Sequence, residues 1–270
     1  MILPGSYANG FAPRDGQPLY PELWRGCVGA WNPGLGVSGL TLRDASGFKN
    51  NGTLTNGPTW AVNQGKYAMS FDATNDYVNL NNVQYLTAGA PSAILWWERV
   101  TSSGVGYYSR FILRTDARAL GIIRTDNVNY VGISLFNVSS GASKEFASAP
   151  SIASSVGIWR HFALQMLTGP ASTANGDYAL WVDGVTYTAS AGGVGSYSDQ
   201  TLSRIGWDGA DDGPNCNIDD IRVYNRALSP NEIRTLATRR GIAYEMALRR
   251  RSSSAVTTNR RRRIIIGGNR

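Results

Sequence analysis

Residues 217–232, Asn-Ile-Asp-Asp-Ile-Arg-Val-Tyr-Asn-Arg-Ala-Leu-Ser-Pro-Asn-Glu, constrain the fold more than any other stretch of the chain. Ile221 and Val223 alternate with polar residues, and this period of two predicts a half-buried strand. The Ser-Pro-Asn-Glu run at 229–232 matches a capping box with proline in the first helical position, which predicts that a helix begins there. The chain therefore passes from a strand through a tight turn into a helix.

Asp219 is unusual within this strand, because a period of two places its carboxylate on the same apolar face as Ile221 and Val223. A buried carboxylate requires either hydrogen-bond donors or a cation. Backbone amides can supply the donors, and a calcium ion can supply the charge because it prefers oxygen ligands. The sequence leaves both interpretations open.

Short strands are predicted throughout residues 25–228. Glycine occurs 31 times and aromatic residues make up 10% of the chain, as is typical of strands joined by tight turns. The predicted strands cover residues 27–31, 67–71, 76–80, 92–99, 107–113, 119–124, 130–136, 159–167, 178–183, 185–189, 202–206 and 217–225. Since little of this region has helical periodicity, we predict an all-β fold, a two-sheet antiparallel jelly-roll sandwich.

The two ends of the chain differ from this body. Residues 1–24 contain four prolines among glycine and aromatic residues. They predict an extended N-terminal arm that packs either on its own domain or on a neighbouring subunit. Residues 229–270 predict a capped helix over 229–240, a second short helix over 242–250 and a basic tail. The predicted units are therefore 1–24, 25–228 and 229–270.

The net positive charge of the chain is concentrated at its C-terminal end. From residue 231 onward there are 11 basic and 2 acidic residues, against a net charge of +7 for the whole chain. The tail contains two arginine runs, Arg249, Arg250, Arg251 and Arg260, Arg261, Arg262, Arg263. Such runs are solvated, or bind nucleic-acid phosphates without reading sequence, or dock on an acidic protein surface. We predict an anionic partner for them.

Four stretches, taken in order, resemble the laminin-G-like, concanavalin A-like lectin/glucanase jelly rolls. They are residues 27–31 with 42–47 and 50–54, residues 67–72 with 76–78, residues 159–162 with 180–185, and residues 217–232. The resemblance extends over about 200 residues. It implies the fold but little about function, because this fold is shared by hydrolases, lectins and structural modules.

The resemblance also implies a structural calcium site. Asp44 lies in a Ser-Gly loop beside the first predicted strand, and Asp219 lies on the last one. If these strands are neighbours, the two carboxylates can share one Ca²⁺ together with backbone carbonyls. The ion would then tie the ends of the domain together.

Carbohydrate binding is what the family resemblance usually implies, and it requires exposed aromatic residues that stack on sugar rings. Trp207 and Asp208 in a predicted loop, together with Tyr108, are the candidates, although each aromatic residue can equally pack in the core.

Glycoside hydrolysis requires two carboxylates across a cleft. No Glu-x-Asp-x-x-Glu run occurs, Glu98 stands alone, and His161 has the pattern of a packed strand residue. We therefore expect no enzymatic activity.

The start of the chain lacks the pattern of a secretory signal, and no apolar run is long enough to span a membrane. Cys27 and Cys216 are expected to be free thiols.

The layout resembles laminin-G-like proteins encoded by tailed phages. That resemblance implies a virion structural protein, a capsid decoration or fibre-type subunit, which is made in the host cytoplasm and anchored through its termini to other virion proteins or to copies of itself. The alternative is a free carbohydrate-binding module for surface glycans. A glycoside hydrolase is a third possibility.

Overall fold

The computed structural model describes residues 18–87, 89–101, 113–115, 121–127, 130–136, 143–146, 148–150, 155–168, 175–189, 200–207 and 213–245. The strands within these ranges are β1 Cys27–Trp31, β2 Thr41–Leu42, β3 Gly52–Thr55, β4 Thr59–Asn63, β5 Lys66–Asp72, β6 Tyr77–Leu86, β7 Ser92–Val100, β8 Leu113–Thr115, β9 Gly121–Asn127, β10 Tyr130–Phe136, β11 Ser143–Glu145, β12 Trp159–Met166, β13 Tyr178–Val182, β14 Val185–Thr188, β15 Gln200–Gly206 and β16 Asn215–Tyr224. One α-helix, α1 Pro230–Leu236, follows them.

Two antiparallel sheets form the sandwich, as the sequence predicts. The eight-stranded sheet has the order β14-β13-β12-β7-β16-β5-β4, with β1 also paired to β16, and the five-stranded sheet has the order β2-β3-β6-β15-β8. A smaller sheet of β11, β10 and β9 accompanies them. All strand pairs between named strands are antiparallel in the described part of the chain.

The main core lies between the two large sheets and consists of apolar side chains at alternate strand positions. The eight-stranded sheet contributes Trp31, Met69, Phe71, Ile94, Trp96, Phe162, Leu164, Leu180, Ile218, Ile221 and Val223, and the five-stranded sheet contributes Leu42, Leu54, Val78, Leu80, Leu202 and Ile205. Residues between these positions point away from the core. The outward faces of the two sheets are therefore the places where a site can form.

Strand β16 occupies the middle of the eight-stranded sheet. It pairs with β7 along one side, whereas on the other side its first half pairs with β5 and its second half with β1. Between the two halves the register with β7 shifts, and Asp220 takes a left-handed φ of 45°. This β-bulge reverses the side-chain alternation. Ile218 before it and Ile221 after it consequently both face the core.

A second apolar cluster covers the outward face of the eight-stranded sheet. It contains Leu23 and Trp24 from a 3-10 turn at Pro21–Trp24, Ile233 and Leu236 from α1, and Leu95 from β7. The indole N–H of Trp24 donates to the carbonyl of Ala243 at 2.9 Å, so the two described ends of the chain meet on this face.

Each predicted strand overlaps an observed one, but β6 continues to Leu86 beyond its predicted end at 80, and β8 shares only residue 113 with the prediction 107–113. The segments that form β2, β3, β4 and β11 were missed. The capping box of α1 is confirmed: the Ser229 side chain accepts from the Glu232 amide and the Glu232 side chain accepts from the Ser229 amide. The helix ends earlier than predicted, at Leu236. Cys27 and Cys216 are buried and are not joined by a disulfide, as expected. Within the described ranges, no helix combines the length and the apolar character needed to cross a bilayer.

Candidate functional site

Asp44 is buried in the loop after β2, where the protein itself occupies its carboxylate. Oδ1 accepts from the amides of Ala30 and Ser46 at 2.9 and 2.8 Å. Oδ2 accepts from the Ser46 hydroxyl and the Asn50 amide at 2.8 and 3.0 Å. These four donors fix the 44–50 loop against β1.

Asp219 does not lie on the apolar face that the alternation predicts. The bulge at Asp220 turns Asp219 to the outward face of the sheet, opposite to Ile221. Its Oδ1 accepts from the amides of Gly34 and Asp220 at 3.3 and 2.8 Å. Its Oδ2 has no hydrogen bond and lies 3.4 Å from Nη1 of Arg240. Burial, reinforced by the charge of Asp220, raises the pKa of Asp219 to about 7.

These surroundings do not fit a shared calcium ion. The oxygens of Asp44 accept from N–H and O–H donors, and Asp219 already faces the guanidinium of Arg240. Nor do three or more His, Cys, Asp or Glu side chains converge as metal ligands anywhere in the described residues. Calcium at this position stays a prediction that the donor sets argue against.

A buried ion pair lies beside Asp219. Oδ1 of Asp220 accepts from Nε of Arg222 at 2.9 Å, and both side chains are 1–2% exposed. The Arg222 guanidinium also lies 4.6 Å from the ring centre of Trp24 and 4.7 Å from that of Tyr244. This pair joins the two ends of the described chain to the central strand, so its position indicates a structural role.

Glu98 and His161 lie on opposite faces of the eight-stranded sheet, because Glu98 follows Trp96 on the core face and His161 pairs with the outward Trp97. His161 is 2% exposed. Burial, with a smaller effect from Arg222, lowers its pKa to about 3. His161 is therefore a neutral packed residue, and these two groups cannot act together on one ligand.

Trp207 lies directly after β15, at one end of the outward face of the five-stranded sheet. Its ring centre is 6.1 Å from that of Tyr77 on β6. The guanidinium of Arg204 on β15 lies 4.4 Å from the Tyr77 ring centre and 5.7 Å from that of Trp207. All three side chains are partly exposed. We call Tyr77, Arg204 and Trp207 the outer platform.

Backbone geometry fixes the position of the outer platform. Val78 and Ile205 face the core, so their neighbours Tyr77 and Arg204 face outward. The amide of Trp207 donates to the carbonyl of Asp76 at 2.8 Å. Gly206 has a φ of 103°, and a Cβ there would lie 2.6 Å from the Asp76 carbonyl oxygen. Only glycine allows the end of β15 to approach the segment before β6 this closely.

Sequence reasoning identified Trp207 but missed Tyr77 and Arg204. The strand alternation could have identified both, because it places Tyr77 and Arg204 on the sheet face that Val78 and Ile205 do not occupy. Asp208 and Tyr108 lie outside the described residues. The arginine runs at 249–251 and 260–263 also lie outside them.

A surface cleft of about 140 Å³ offers a second candidate position. Its lining includes Asn32, Val37, Ser38, Arg43 and Trp60. The indole N–H of Trp60 donates to the carbonyl of Gly39 at 2.8 Å, so it is not available to a ligand. The cleft has less than half the volume of a typical small-molecule site, which begins at about 300 Å³.

Comparison with protein families gives one match. Residues 72–234, more than half of the chain, match the family described as the concanavalin A-like lectin/glucanases superfamily. No curated protein matches the sequence.

Solved structures with the same fold come from several proteins. Trypanosoma rangeli sialidase matches with 16% identity and a TM-score of 0.55, over 79% of this chain and 32% of that chain. Domain 4 of AbnA, a GH43 extracellular arabinanase from Geobacillus stearothermophilus solved with arabinotriose, matches with 17% identity and a TM-score of 0.57, over 78% of this chain and 98% of that chain. The binding domain of Paraclostridial Mosquitocidal Protein 1 matches with 16% identity and a TM-score of 0.55, over 80% and 52%. This chain thus spans about a third of the sialidase and nearly all of the arabinanase domain.

These matches correct one expectation. The absence of a two-carboxylate strand motif led us to expect no enzymatic activity, but the structures that share the fold include a sialidase and a domain of an arabinanase. The prediction that the chain is not an enzyme is therefore wrong.

Proposed function

Because the chain belongs to the concanavalin A-like lectin/glucanase superfamily, we propose that it binds carbohydrate and that the glycan lies on the outer platform. The observation that carries the proposal is the contrast between the two outward faces. The face of the eight-stranded sheet is covered by α1 and by residues 20–24 and 242–244. The face of the five-stranded sheet presents partly exposed Tyr77 and Trp207.

The chemistry of the outer platform supports this use. Sugar rings have apolar C–H faces, and aromatic side chains bind such faces through large contact areas at small entropic cost. The two rings are tilted by 43° to one another, so they present a shallow V rather than one flat surface. Thr53 on the neighbouring strand β3 lies beside the platform and offers an exposed hydroxyl to a sugar.

The structural similarity to the arabinanase domain is a second, independent observation that supports the proposal. That domain was solved with arabinotriose, and this chain covers 98% of it. The virion role depends on the terminal segments, most of which lie outside the described residues, and it stays a prediction.

Glycan-array screening of the purified chain, followed by calorimetry on the best ligand, tests the proposal. Trp207→Ala is expected to weaken binding at least about tenfold, because it removes a central aromatic contact. Trp207→Phe should retain most of the affinity, since it keeps an aromatic face.

Phe48→Ala is the matched control, because it removes a 59% exposed aromatic side chain from the loop between β2 and β3. It is expected to bind like the wild type. No binding to any glycan, or equal losses in Trp207→Ala and Phe48→Ala, would refute the proposal.

A further inference from the structure

We propose that Arg204 makes the outer platform selective for saccharides that carry a carboxylate. This inference rests on the proposed function and names the class of glycan that the same site takes.

The Arg204 side chain has no counter-ion among the residues that the structure describes. Its guanidinium forms no hydrogen bond with these residues, and its Nη1 atom is shielded from solvent. Its contacts are the faces of Tyr77 and Trp207. A desolvated donor that lacks an acceptor destabilises the protein. A ligand that supplies this acceptor therefore gains more binding free energy here than it would at a solvated arginine.

The acidic residues nearest in sequence to Tyr77 each use one oxygen in the 72–76 turn. Oδ2 of Asp76 accepts from the amide of Asp72 at 3.1 Å, whereas its Oδ1 is buried without a hydrogen-bond partner. Oδ1 of Asp72 accepts from the amide of Thr74 at 2.9 Å. Neither carboxylate forms a hydrogen bond with the Arg204 guanidinium, so within the described residues its charge is available to a ligand.

The shape of the site favours a carboxylate. A guanidinium presents a planar fork of N–H groups that matches the two oxygens of a carboxylate. The tilted rings of Tyr77 and Trp207 lie against the guanidinium and restrict the orientation of that fork. A sugar that rests on Trp207 would bring an acidic substituent on its ring to the edge of Arg204. A neutral sugar would leave Nη1 unsatisfied.

Binding to carboxylated polysaccharides and to their carboxyl-reduced forms tests this inference. Polygalacturonate, alginate and hyaluronan are compared with the same polymers after chemical reduction of the carboxylates, which keeps the linkage and removes the charge. At least one acidic polymer is expected to bind at least about tenfold more tightly than its reduced form, the factor that a hydrogen bond to a charged group supplies.

Substitutions at Arg204 locate the effect. Arg204→Gln should abolish the preference for the acidic form, and Arg204→Lys should restore only part of it, because lysine keeps the charge but lacks the fork. Arg25→Gln is the matched control. It makes the same charge change at an exposed arginine beside the Pro21–Trp24 turn, which covers the opposite face of the sandwich. It should leave the preference intact. Thermal melts of each variant show whether it is folded.

The outcomes separate the two proposals. Equal binding of an acidic polymer and its carboxyl-reduced form, or a preference for the acidic form that Arg204→Gln leaves unchanged, would overturn the carboxylate inference and preserve the proposed function. Binding of sulfated polymers alone, tested with dextran sulfate, would also overturn it. No binding to any polymer would refute the proposed function itself.

Discussion

At the scale of single residues, Asp220 determines where the buried charges of β16 lie. Alternation alone assigns Asp219 to the core face, and this assignment is wrong because Asp220 adds one residue to the strand. Nothing in the alternating pattern around Asp219 and Asp220 predicts that Asp220 adopts a left-handed backbone conformation. Asp44 was predicted only as a calcium ligand, whereas its carboxylate accepts from three backbone amides and the Ser46 hydroxyl, donors that the sequence pattern did not indicate.

Asp219 is expected to make the protein less stable as the pH rises from about 4 to about 7. Its folded pKa of about 7 lies above the ordinary value of 3.8, so the folded state holds a proton that the unfolded chain releases. The contribution to stability is therefore complete below the unfolded pKa and is lost as the pH rises through the folded pKa. Asp219→Asn should lose this part of the pH dependence.

Urea unfolding of the wild type and Asp219→Asn across this pH range measures the effect. The difference in unfolding free energy should change by at most about 1.4 kcal/mol per pH unit. Asp76, with a pKa raised to about 6 by burial, and His161, with a pKa lowered to about 3, titrate in both proteins and so cancel in the difference. A difference that is constant with pH would contradict the prediction.

At the scale of secondary structure elements, starts were easier to predict than ends. The capping box fixed the beginning of α1 because it depends on neighbouring residues alone. The end was placed at residue 240, but the chain leaves the helix after Leu236 and turns. This turn brings Arg240 to Asp219 and ends at Gly241 with a φ of 74°. A tertiary ion pair of this kind has no signature in the helix sequence.

Gly206 at the end of β15 is expected to control the outer platform. In Gly206→Ala the Cβ would lie 2.6 Å from the carbonyl oxygen of Asp76 and from the ring of Phe71, so Trp207 must shift. We expect a loss of stability of about 1–3 kcal/mol from strain together with weaker glycan binding. Chemical unfolding and calorimetry measure the two effects.

Gly65→Ala is the matched control for this prediction. Gly65 also has a positive φ, of 75°, but a Cβ there meets no atom within 4 Å. It should lower stability and leave glycan affinity unchanged. If Gly206→Ala binds glycan as well as Gly65→Ala does, the platform does not depend on the close approach at Gly206.

At the scale of the whole molecule, the fold could be predicted and the site could be predicted only in part. Alternating apolar residues and tight turns recur along the chain, so their sum indicated a sandwich even where single strands such as β2 and β4 were missed. The outer platform is different, because its residues come from two strands far apart in sequence. Trp207 was visible as a loop aromatic, whereas Tyr77 and Arg204 became candidates only once β6 and β15 were paired.

Removal of divalent metal is expected to leave the thermal stability of the molecule unchanged. The carboxylates of Asp44 and Asp219 already have protein partners, so removing divalent ions should break none of their interactions. Asp44→Ala, by contrast, should lower the melting temperature, since it leaves the amides of Ala30, Ser46 and Asn50 without their acceptor, at about 1–3 kcal/mol for each one that stays buried and unpaired.

Thermal melts with and without a chelator, together with elemental analysis of the purified protein, check this prediction. A chelator-dependent fall in the melting temperature, accompanied by bound calcium, would restore the calcium interpretation.

Leu19 and Glu245, close to the two ends of the described residues, meet on one face, and this sets the direction in which the molecule would present the proposed ligand. The amide of Leu19 donates to the carbonyl of Glu245 at 2.8 Å, and both lie on the side of the eight-stranded sheet. The outer platform lies on the opposite side. Whatever is tethered at position 18 or 245, whether a bead, a label or another domain, would stand behind the sandwich and leave Trp207 pointing forward. Immobilisation through either position should therefore give a uniformly oriented sensor surface, whereas random coupling through lysines would not.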